Sequence, residues 1–339
     1  MQFRAREGDF IETFDGLIFD VKGLVHPPDR VIAYVRYLPD RRGAREKRGI
    51  RYRKVYDLAA RTNLLRARWP EYIYRDTVFN REVQAIPVDK IKQHYVPTER
   101  LAEILSATRP DRMERLALDM AETLVRETGI LASKIGVSGS ILVGLHTARS
   151  DVDLILYGSD VARKCYSKLR AFLNTRSEGF SPCLQSDLRK LHSQRNQGFS
   201  LSFEVFARQE GLKVLQGKFR GIDYFIRCVK DWNETQESYG DKRYYPVGRT
   251  SVYATISDDT ESIFTPCLYH IVDAKAARKT TAPSQIVSFR GRFCEQARDG
   301  ERILARGTLE RVVDKRSETY RLVIGENPRD RLMVVGRRG

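Results

Sequence analysis

Residues 136–157 read GVSGSILVGLHTARSDVDLILY, and this stretch decides how the chain is interpreted. A short apolar segment precedes Ser138-Gly139-Ser140, and about ten residues later Asp151-Val152-Asp153 begins an alternating segment. Alternation that becomes fully apolar is typical of a strand that enters a core. The apolar run after Ser140 predicts the start of a helix. The stretch therefore predicts a strand, a Gly-Ser turn, a helix and a second strand.

The second predicted strand carries two carboxylates, Asp151 and Asp153. Side chains two residues apart leave the same face of a strand, about 7 Å apart, so Val152 and Leu154 face the core instead. Two adjacent carboxylates repel each other unless a cation lies between them. Mg²⁺ accepts hard oxygen ligands and keeps positions for water and substrate phosphate, so we expect Mg²⁺ (or Mn²⁺) at this pair.

A third carboxylate is expected from Glu204. Residues 199–206 read FSLSFEVF, and the alternation predicts a strand with Phe203 and Val205 toward the core and Glu204 on the other face. A charged residue within an apolar strand usually has a partner or a metal. Asp187 is the alternative, but its polar surroundings indicate a loop or a helix. Three carboxylates can hold two metal ions, one for the attacking hydroxyl and one for the leaving phosphate.

The turn Ser138-Gly139-Ser140 is expected to bind phosphate. A glycine between a strand and a helix lets backbone N–H groups approach a phosphate, and the helix start favours negative charge. The hydroxyl of Ser140 adds a further donor. Such dipeptides are common, and only the position before the Asp pair gives this one meaning. The alternative is an ordinary turn in which Asp151 follows Ser150, but it leaves Asp153 unexplained.

The combined pattern resembles the nucleotidyltransferase superfamily typified by DNA polymerase beta, and the whole chain is similar to uncharacterised predicted nucleotidyltransferases of archaea. The resemblance covers residues 111–210. It implies that Ser138, Gly139 and Ser140 contact the triphosphate of an NTP. It also implies that Asp151 and Asp153 hold metal ions and that Glu204 is the third, catalytic carboxylate. Two departures are the late position of the motif and a glutamate where Asp is more common.

The 339 residues predict an α+β chain of three domains. Residues 1–97 carry short apolar runs with β-branched residues, which indicates a β-rich N-terminal domain. Its basic segment 41–54 predicts a mobile loop or an extended hairpin tip. Residues 98–235 form the expected nucleotidyltransferase core, a mixed sheet with helices. Residues 236–339 read as short strands separated by turns, which predicts a small β-barrel or sandwich.

Composition indicates the class of partner. Sixty Lys and Arg against 44 Asp and Glu give a net charge of +16, and such a field favours polyanions. We therefore expect a nucleic acid partner, with RNA favoured, in addition to the NTP. A hydrophobic content of 41% excludes a wholly disordered chain.

Several compartments and site types are not indicated. The sequence has no apolar run of 18 residues, so we expect no membrane-spanning helix. Its first residues, MQFRAREGDF, lack the apolar core of a secretory signal. Five scattered cysteines without a C-x-x-C pair indicate neither a disulfide framework nor a cysteine zinc site. These features together predict a cytoplasmic protein.

The leading hypothesis is an enzyme that moves a nucleoside monophosphate from an NTP to an acceptor hydroxyl, with an RNA end as the favoured acceptor. Two alternatives stay open at the level of sequence. The chain could be a non-catalytic RNA- or DNA-binding protein that retains the fold. It could also transfer nucleotides to a protein or a small molecule, in which case the positive charge is incidental.

Overall fold

The computed structural model describes residues 3–195, 202–276 and 281–337. The chain divides into two compact units, each with helices and strands. The first comprises Met1–Asp76, Arg81–Gly179 and Phe219–Tyr239, and the second comprises Thr77–Asn80, Phe180–Lys218 and Gly240–Gly339. The α+β class is thereby confirmed, while the domain boundaries at residues 97 and 235 stay a prediction. Within the described ranges, no helix is long and apolar enough to span a bilayer.

The first unit begins with an eight-stranded sheet. Its strands are β1 (Phe10–Thr13), β2 (Ile18–Val21), β3 (Arg30–Pro39), β4 (Arg45–Lys47), β5 (Ile50–Lys54), β6 (Ile73–Asp76), β7 (Arg81–Pro87) and β8 (Ile91–Tyr95). The order is β4-β5-β3-β2-β1-β8, and β7 pairs with both β3 and β6. Val31, Ala33 and Val35 alternate into a core that also contains Phe19 and Tyr72. The basic segment 41–54 contains the hairpin β4–β5, which is one of its two predicted forms.

Helices then alternate with a second set of strands. The helices are α1 (Leu58–Arg68), α2 (Pro97–Ser106), α3 (Arg112–Thr128), α4 (Gly139–Leu142) and α5 (Ser159–Thr175). The strands are β9 (Ile135–Val137), β10 (Val152–Tyr157), β11 (Phe180–Ser181), β12 (Gln216–Phe219) and β13 (Ile222–Val229). Asp111 caps α3 in a capping box, and Gly129 ends that helix at φ 65°. In the first unit, β10 pairs with β9 antiparallel and with β13 parallel, so this sheet is mixed.

The second unit contains β11, most of β12 and, in its described part, two helices and a closed ring of strands. The helices are α6 (Gln185–Arg195) and α7 (Phe203–Gly211). The strands are β14 (Arg243–Asp258), β15 (Cys267–Ala276), β16 (Gln285–Ser288), β17 (Glu301–Val313), β18 (Glu318–Val323) and β19 (Arg331–Arg337). Pairing runs β14-β15-β16-β18-β17 and returns to β14, which closes a small barrel, and β19 is added beside β17.

The strand predicted over residues 199–206 is wrong where the structure describes it. Residues 199–201 lie outside the described residues, and residues 203–211 form helix α7. Ser202 caps this helix, because its hydroxyl accepts a hydrogen bond from the Val205 N–H. Phe203 and Phe206 contact the ring of His192 on α6. The spacing of three residues between the two aromatics is helical, and packing on α6 outweighed the local alternation.

Candidate functional site

An open pocket in the first unit contains the residues that the sequence singles out. The space between its lining residues is roughly 470 Å³ with the open solvent at its mouth included, and the segments that line it come from both sheets of the unit. It brings together the turn Ser138-Gly139-Ser140 and the carboxylates Asp151 and Asp153. Strand β9 leads into the turn and β10 carries Asp153, so antiparallel pairing of these two strands places the turn beside the carboxylates. The predicted meeting of the two motif halves is therefore present in the structure.

Gly139 is required where the turn meets Asp153. Its φ is +61°, in the left-handed region that glycine tolerates. A Cβ placed on Gly139 would lie 1.9 Å from Oδ2 of Asp153, so the backbone and the carboxylate are in direct contact. The Ser138 N–H also donates to the Asp153 carbonyl oxygen at 2.8 Å. The turn is thus fitted closely around Asp153.

The two serines of the turn differ in their partners. The Ser138 hydroxyl donates to the carbonyl oxygen of Gly8 at 2.8 Å, so it fastens the turn to the N-terminal segment. The Ser140 hydroxyl is buried and has no hydrogen-bond partner in the structure. A buried hydroxyl without a partner costs free energy, so this group is available to hydrogen-bond to a bound molecule. Helix α4 has only four residues, so its dipole contributes less to phosphate binding than the sequence suggested.

The carboxylates Asp151 and Asp153 have basic side chains nearby but no close ion-pair partner among the described residues. Asp151 is exposed just before β10, and Asp153 is partly buried within it. Among the residues that the structure describes, neither side chain forms a hydrogen bond or an ion pair. Burial, and then the negative charge of Asp151, raises the pKa of Asp153 to about 7. The charges of Arg227, Lys54 and Arg36 act to lower this pKa, but burial and Asp151 outweigh them, so the pair stays suited to a bound cation.

Basic side chains form the other part of the pocket. Arg36 of β3 and Lys54 of β5 line it, and neither forms an ion pair with a described residue. Burial, and then the charge of Arg36, lowers the pKa of Lys54. Both side chains contact the ring of Tyr56, which is 63% exposed beside them. Basic side chains that lie near two carboxylates without forming close ion pairs are suited to a ligand that carries both a metal and phosphates.

A third carboxylate in the pocket comes from Asp20 on β2. Its side chain lies 2.8 Å from Lys22 and 3.5 Å from Arg227 of β13. Burial acts to raise the pKa of Asp20, but the charges of Lys22 and Arg227 outweigh it and hold that pKa at about 2. Arg227 also lies 2.7 Å from Glu7, a fully buried carboxylate. Asp20 therefore stays ionised and helps to hold Arg227 at the pocket.

Glu204 does not occupy the position that the sequence assigned to it. It lies in the first turn of α7 and is exposed, so no buried strand forces it to have a partner. Hydrogen bonds from its own backbone N–H and from Ser202 lower its pKa, which is the ordinary behaviour of a carboxylate at a helix start. It belongs to the second unit, whereas the pocket belongs to the first. The alternative, Asp187, lies in α6 and pairs with Lys218 at 3.1 Å.

Sequence reasoning missed four functional candidates, namely Asp20, Arg36, Lys54 and Arg227. Each is a charged residue within or at the end of a strand, and this is the signal that was applied to Glu204. A charged residue in a strand is an ambiguous signal without the fold, because many strands carry one on their solvent-exposed face. Only the pairing of the strands shows which charges meet.

A second acidic group has a structural explanation. Asp111, Glu114 and His146 have side-chain atoms within 4.8 Å of one another, a spacing that a metal could use. Both carboxylates, however, form the capping box of α3. His146 Nε2 lies 2.6 Å from an oxygen of Asp111, and Glu114 pairs with Arg100. These contacts account for the group as a helix cap.

Comparison with known proteins gives a relative without a known function. The uncharacterized protein MJ1086 of Methanocaldococcus jannaschii is 30% identical over 338 residues, which cover 95% of this chain and 96% of the relative. The similarity to an uncharacterised archaeal protein is thereby confirmed. No protein-family model matches the chain. No solved structure matches it either.

Proposed function

We propose that this chain, which belongs to the family of the uncharacterized M. jannaschii protein MJ1086, is a metal-dependent nucleotidyltransferase. The observation that carries the proposal is the pocket of the first unit. There a Gly-Ser turn with a buried, unpartnered hydroxyl on Ser140 lies beside Asp151 and Asp153, which form no close ion pair with a described residue. The resemblance to the superfamily typified by DNA polymerase beta rests on these same residues.

The donor set fits a hard divalent cation. Asp151 and Asp153 offer carboxylate oxygens that no basic side chain occupies in the described part of the chain, and Mg²⁺ or Mn²⁺ prefers such ligands. A bound cation would supply charge neutralisation for a triphosphate and for the pyrophosphate that leaves. It would also favour the ionised form of Asp153, whose pKa is otherwise raised to about 7.

The other residues of the pocket bind and orient the nucleotide. Arg36, Lys54 and Arg227 place positive charge where phosphate oxygens would lie, and Arg227 is held there by Asp20 and Glu7. The Ser140 hydroxyl donates to a phosphate oxygen. Transfer then consists of attack by an acceptor hydroxyl on the α-phosphate, which displaces pyrophosphate, and most of the catalysis is positioning and electrostatic stabilisation.

The carboxylates of the proposed site differ from the set that the sequence predicts. Asp20 replaces Glu204 as the third carboxylate of the proposed site, because it lines the pocket and Glu204 is exposed at a helix start in the second unit. Since Asp20 already pairs with two cations, it acts by positioning Arg227. The acceptor in the proposal is an RNA end, which the net charge of +16 supports.

The test is transfer of label from [α-³²P]NTPs to a pool of RNA, with Mg²⁺ or Mn²⁺ and with [γ-³²P]NTPs as the control. We expect α-label but no γ-label in the RNA. D151N and D153N should each lower transfer at least about a hundredfold, in line with loss of an electrostatic catalytic group. The matched control is D160N, which changes an exposed carboxylate in the first turn of α5.

The outcomes separate the hypotheses. Transfer that D151N and D153N leave unchanged would overturn the proposal. RNA binding without label transfer from any of the four NTPs would do so as well and would favour a non-catalytic binding protein. Label that appears on a protein or a small molecule in place of RNA would keep the pocket chemistry and refute the RNA acceptor.

A further inference from the structure

One outer face of the barrel in the second unit combines arginines with an exposed tyrosine. Cross-strand register shows which residues share it. Tyr253 of β14 lies opposite Leu304 of β17, which lies opposite Met333 of β19. In the next row, Ser251 lies opposite Arg306, which lies opposite Arg331. Residues directly opposite each other on neighbouring strands project from the same face of a sheet.

This face points away from the barrel core. The intervening residues Val252, Ala254, Ile303, Ala305 and Leu332 are all buried. Strand side chains alternate between faces, so the arginine rows project outward. Tyr253 is 55% exposed, so its ring is accessible on this face.

Two arginines of this face, Arg302 and Arg306, carry positive charge with which no residue in the described ranges pairs. Arg306 and Arg331 are direct neighbours across β17 and β19, and like charges in that position are destabilising. Arg302 and Arg306 form no hydrogen bond or ion pair with any residue in the described ranges. Asp330, next in sequence to Arg331, is committed to Arg249 and to three backbone N–H groups. A polyanion that bridges the arginines would remove the repulsion.

We propose that this face, formed by Tyr253, Arg302, Arg306 and Arg331, binds single-stranded nucleic acid. Bases stack on the ring of Tyr253, and the flanking guanidinium groups contact phosphates. A single strand is favoured over a duplex, because a paired base cannot lay its face on an aromatic ring. The inference does not depend on the nucleotidyl transfer proposed for the first unit.

The test is fluorescence anisotropy with labelled single-stranded RNA, single-stranded DNA and a duplex of the same sequence. We expect both single strands to bind more tightly than the duplex. Y253A should weaken single-strand binding about tenfold, and Y253W should retain it, since stacking on an aromatic ring is worth a comparable factor per base. R306E combined with R331E should weaken binding by more than a hundredfold.

A matched control lies on the same strand. Arg311 of β17 is paired with Glu318 at 3.0 Å, so R311A removes an arginine that is already compensated. It should leave the affinity within about twofold of wild type. Affinities for all variants equal to that of wild type would overturn the proposal, as would binding of polyglutamate in preference to both single strands.

A second arm separates this site from the catalytic proposal. D151N and D153N should keep full affinity for the single strand, because those residues belong to the pocket of the first unit. If label transfer is never detected but Y253A and the double arginine variant lose binding, the nucleic acid face stands and the enzyme proposal fails. Loss of binding in D151N and D153N alone would refute the face.

Discussion

Gly139 and the carboxylate of Asp153 are in direct contact in the candidate site. The backbone of residue 139 lies against the carboxylate, and a positive φ excludes most other residues there. Ser140 next to it holds a buried hydroxyl without a partner. The unpartnered hydroxyl of Ser140 reduces the stability of the unliganded protein. A bound phosphate with its cation would offset this loss.

We expect G139A to damage the site much more than G144A. Both glycines have positive φ, +61° and +67°, so each alanine carries a backbone strain of about 1 kcal/mol. Only at position 139 does the new Cβ meet a neighbour, since nothing lies within 4 Å of a Cβ at position 144. Urea unfolding should show the larger loss for G139A, and label transfer should fall at least tenfold in that variant alone.

Equal losses of stability and activity in the two glycine variants would contradict the proposed contact with Asp153.

A second residue-scale prediction concerns His26, which is held neutral. Its Nδ1 accepts a hydrogen bond from the Ile32 N–H at 3.2 Å, and its Nε2 therefore donates to the Ala5 carbonyl at 3.0 Å. Burial lowers the pKa of His26 to about 4. The unfolded chain binds a proton near pH 6.5, whereas the folded chain does so only near pH 4. The stabilisation is therefore complete above about pH 6.5 and is lost as the pH falls toward 4.

H26Q should reduce this pH dependence. The free energy of unfolding of the wild type should fall by up to about 3 kcal/mol more than that of H26Q between pH 7 and pH 4. Urea titrations at half-unit pH steps measure both slopes. If the free energy of unfolding depended on pH in the same way in both proteins, protonation of His26 would not be the cause of the pH dependence.

At the scale of elements, a network of buried charges joins β2, β13 and the segment before β1. Glu7 is fully buried and accepts hydrogen bonds from the Gly23 N–H, from Lys22 and from Arg227. Asp20 shares the same two basic partners. The network fixes strand positions that apolar packing alone would leave less specific, and it directs Arg227 to the pocket.

E7Q should therefore destabilise the protein by roughly 3 kcal/mol, because it removes a buried carboxylate and leaves Asp20 to compensate both Lys22 and Arg227. The control is E46Q, which breaks the exposed pair of Glu46 and Arg51 at 3.8 Å and should change stability by less than about 1 kcal/mol. Chemical unfolding measures both. E7Q should also weaken protection by NTP in a thermal shift assay, whereas E46Q should not. A stable E7Q protein with normal NTP protection would exclude the positioning role.

At the same scale, the local sequence pattern predicts the secondary structure of some elements but not of others. The capped helix α3 and the strand β10 follow directly from the sequence, because caps and hydrophobic periodicity are local signals. Residues 203–211 carry conflicting signals, since their alternation favours a strand while Ser202 and the spacing of the two phenylalanines favour a helix. Packing of the two phenylalanines on His192 of α6 favours the helix. Such a tertiary contact cannot be inferred from the sequence before the fold is known.

The charge of the whole molecule predicts salt-sensitive binding. With a net charge of +16, the protein should bind single-stranded RNA less tightly as the salt concentration rises. We expect the affinity to fall at least about tenfold between 50 and 200 mM salt, measured by anisotropy. Replacing Arg302, Arg306 and Arg331 together by alanine should reduce the slope of log K against log salt by about 2, since each phosphate contact on a single strand contributes about 0.7.

If the slope of log K against log salt were the same in the triple variant as in the wild type, the phosphate contacts would lie on another surface.

The amino-acid sequence alone determined the parts that depend on neighbours in the chain. These are the turn at Gly139, the strand with Asp151 and Asp153, the caps of α3, the α+β class and the positive charge. Tertiary structure alone decided that Asp20, Arg36, Lys54 and Arg227 complete the pocket, and that Glu204 begins a helix in the second unit. The reason is physical: backbone conformation and periodicity act over a few residues, whereas the meeting of charges depends on strand pairing between segments more than two hundred residues apart, as Asp20 and Arg227 show.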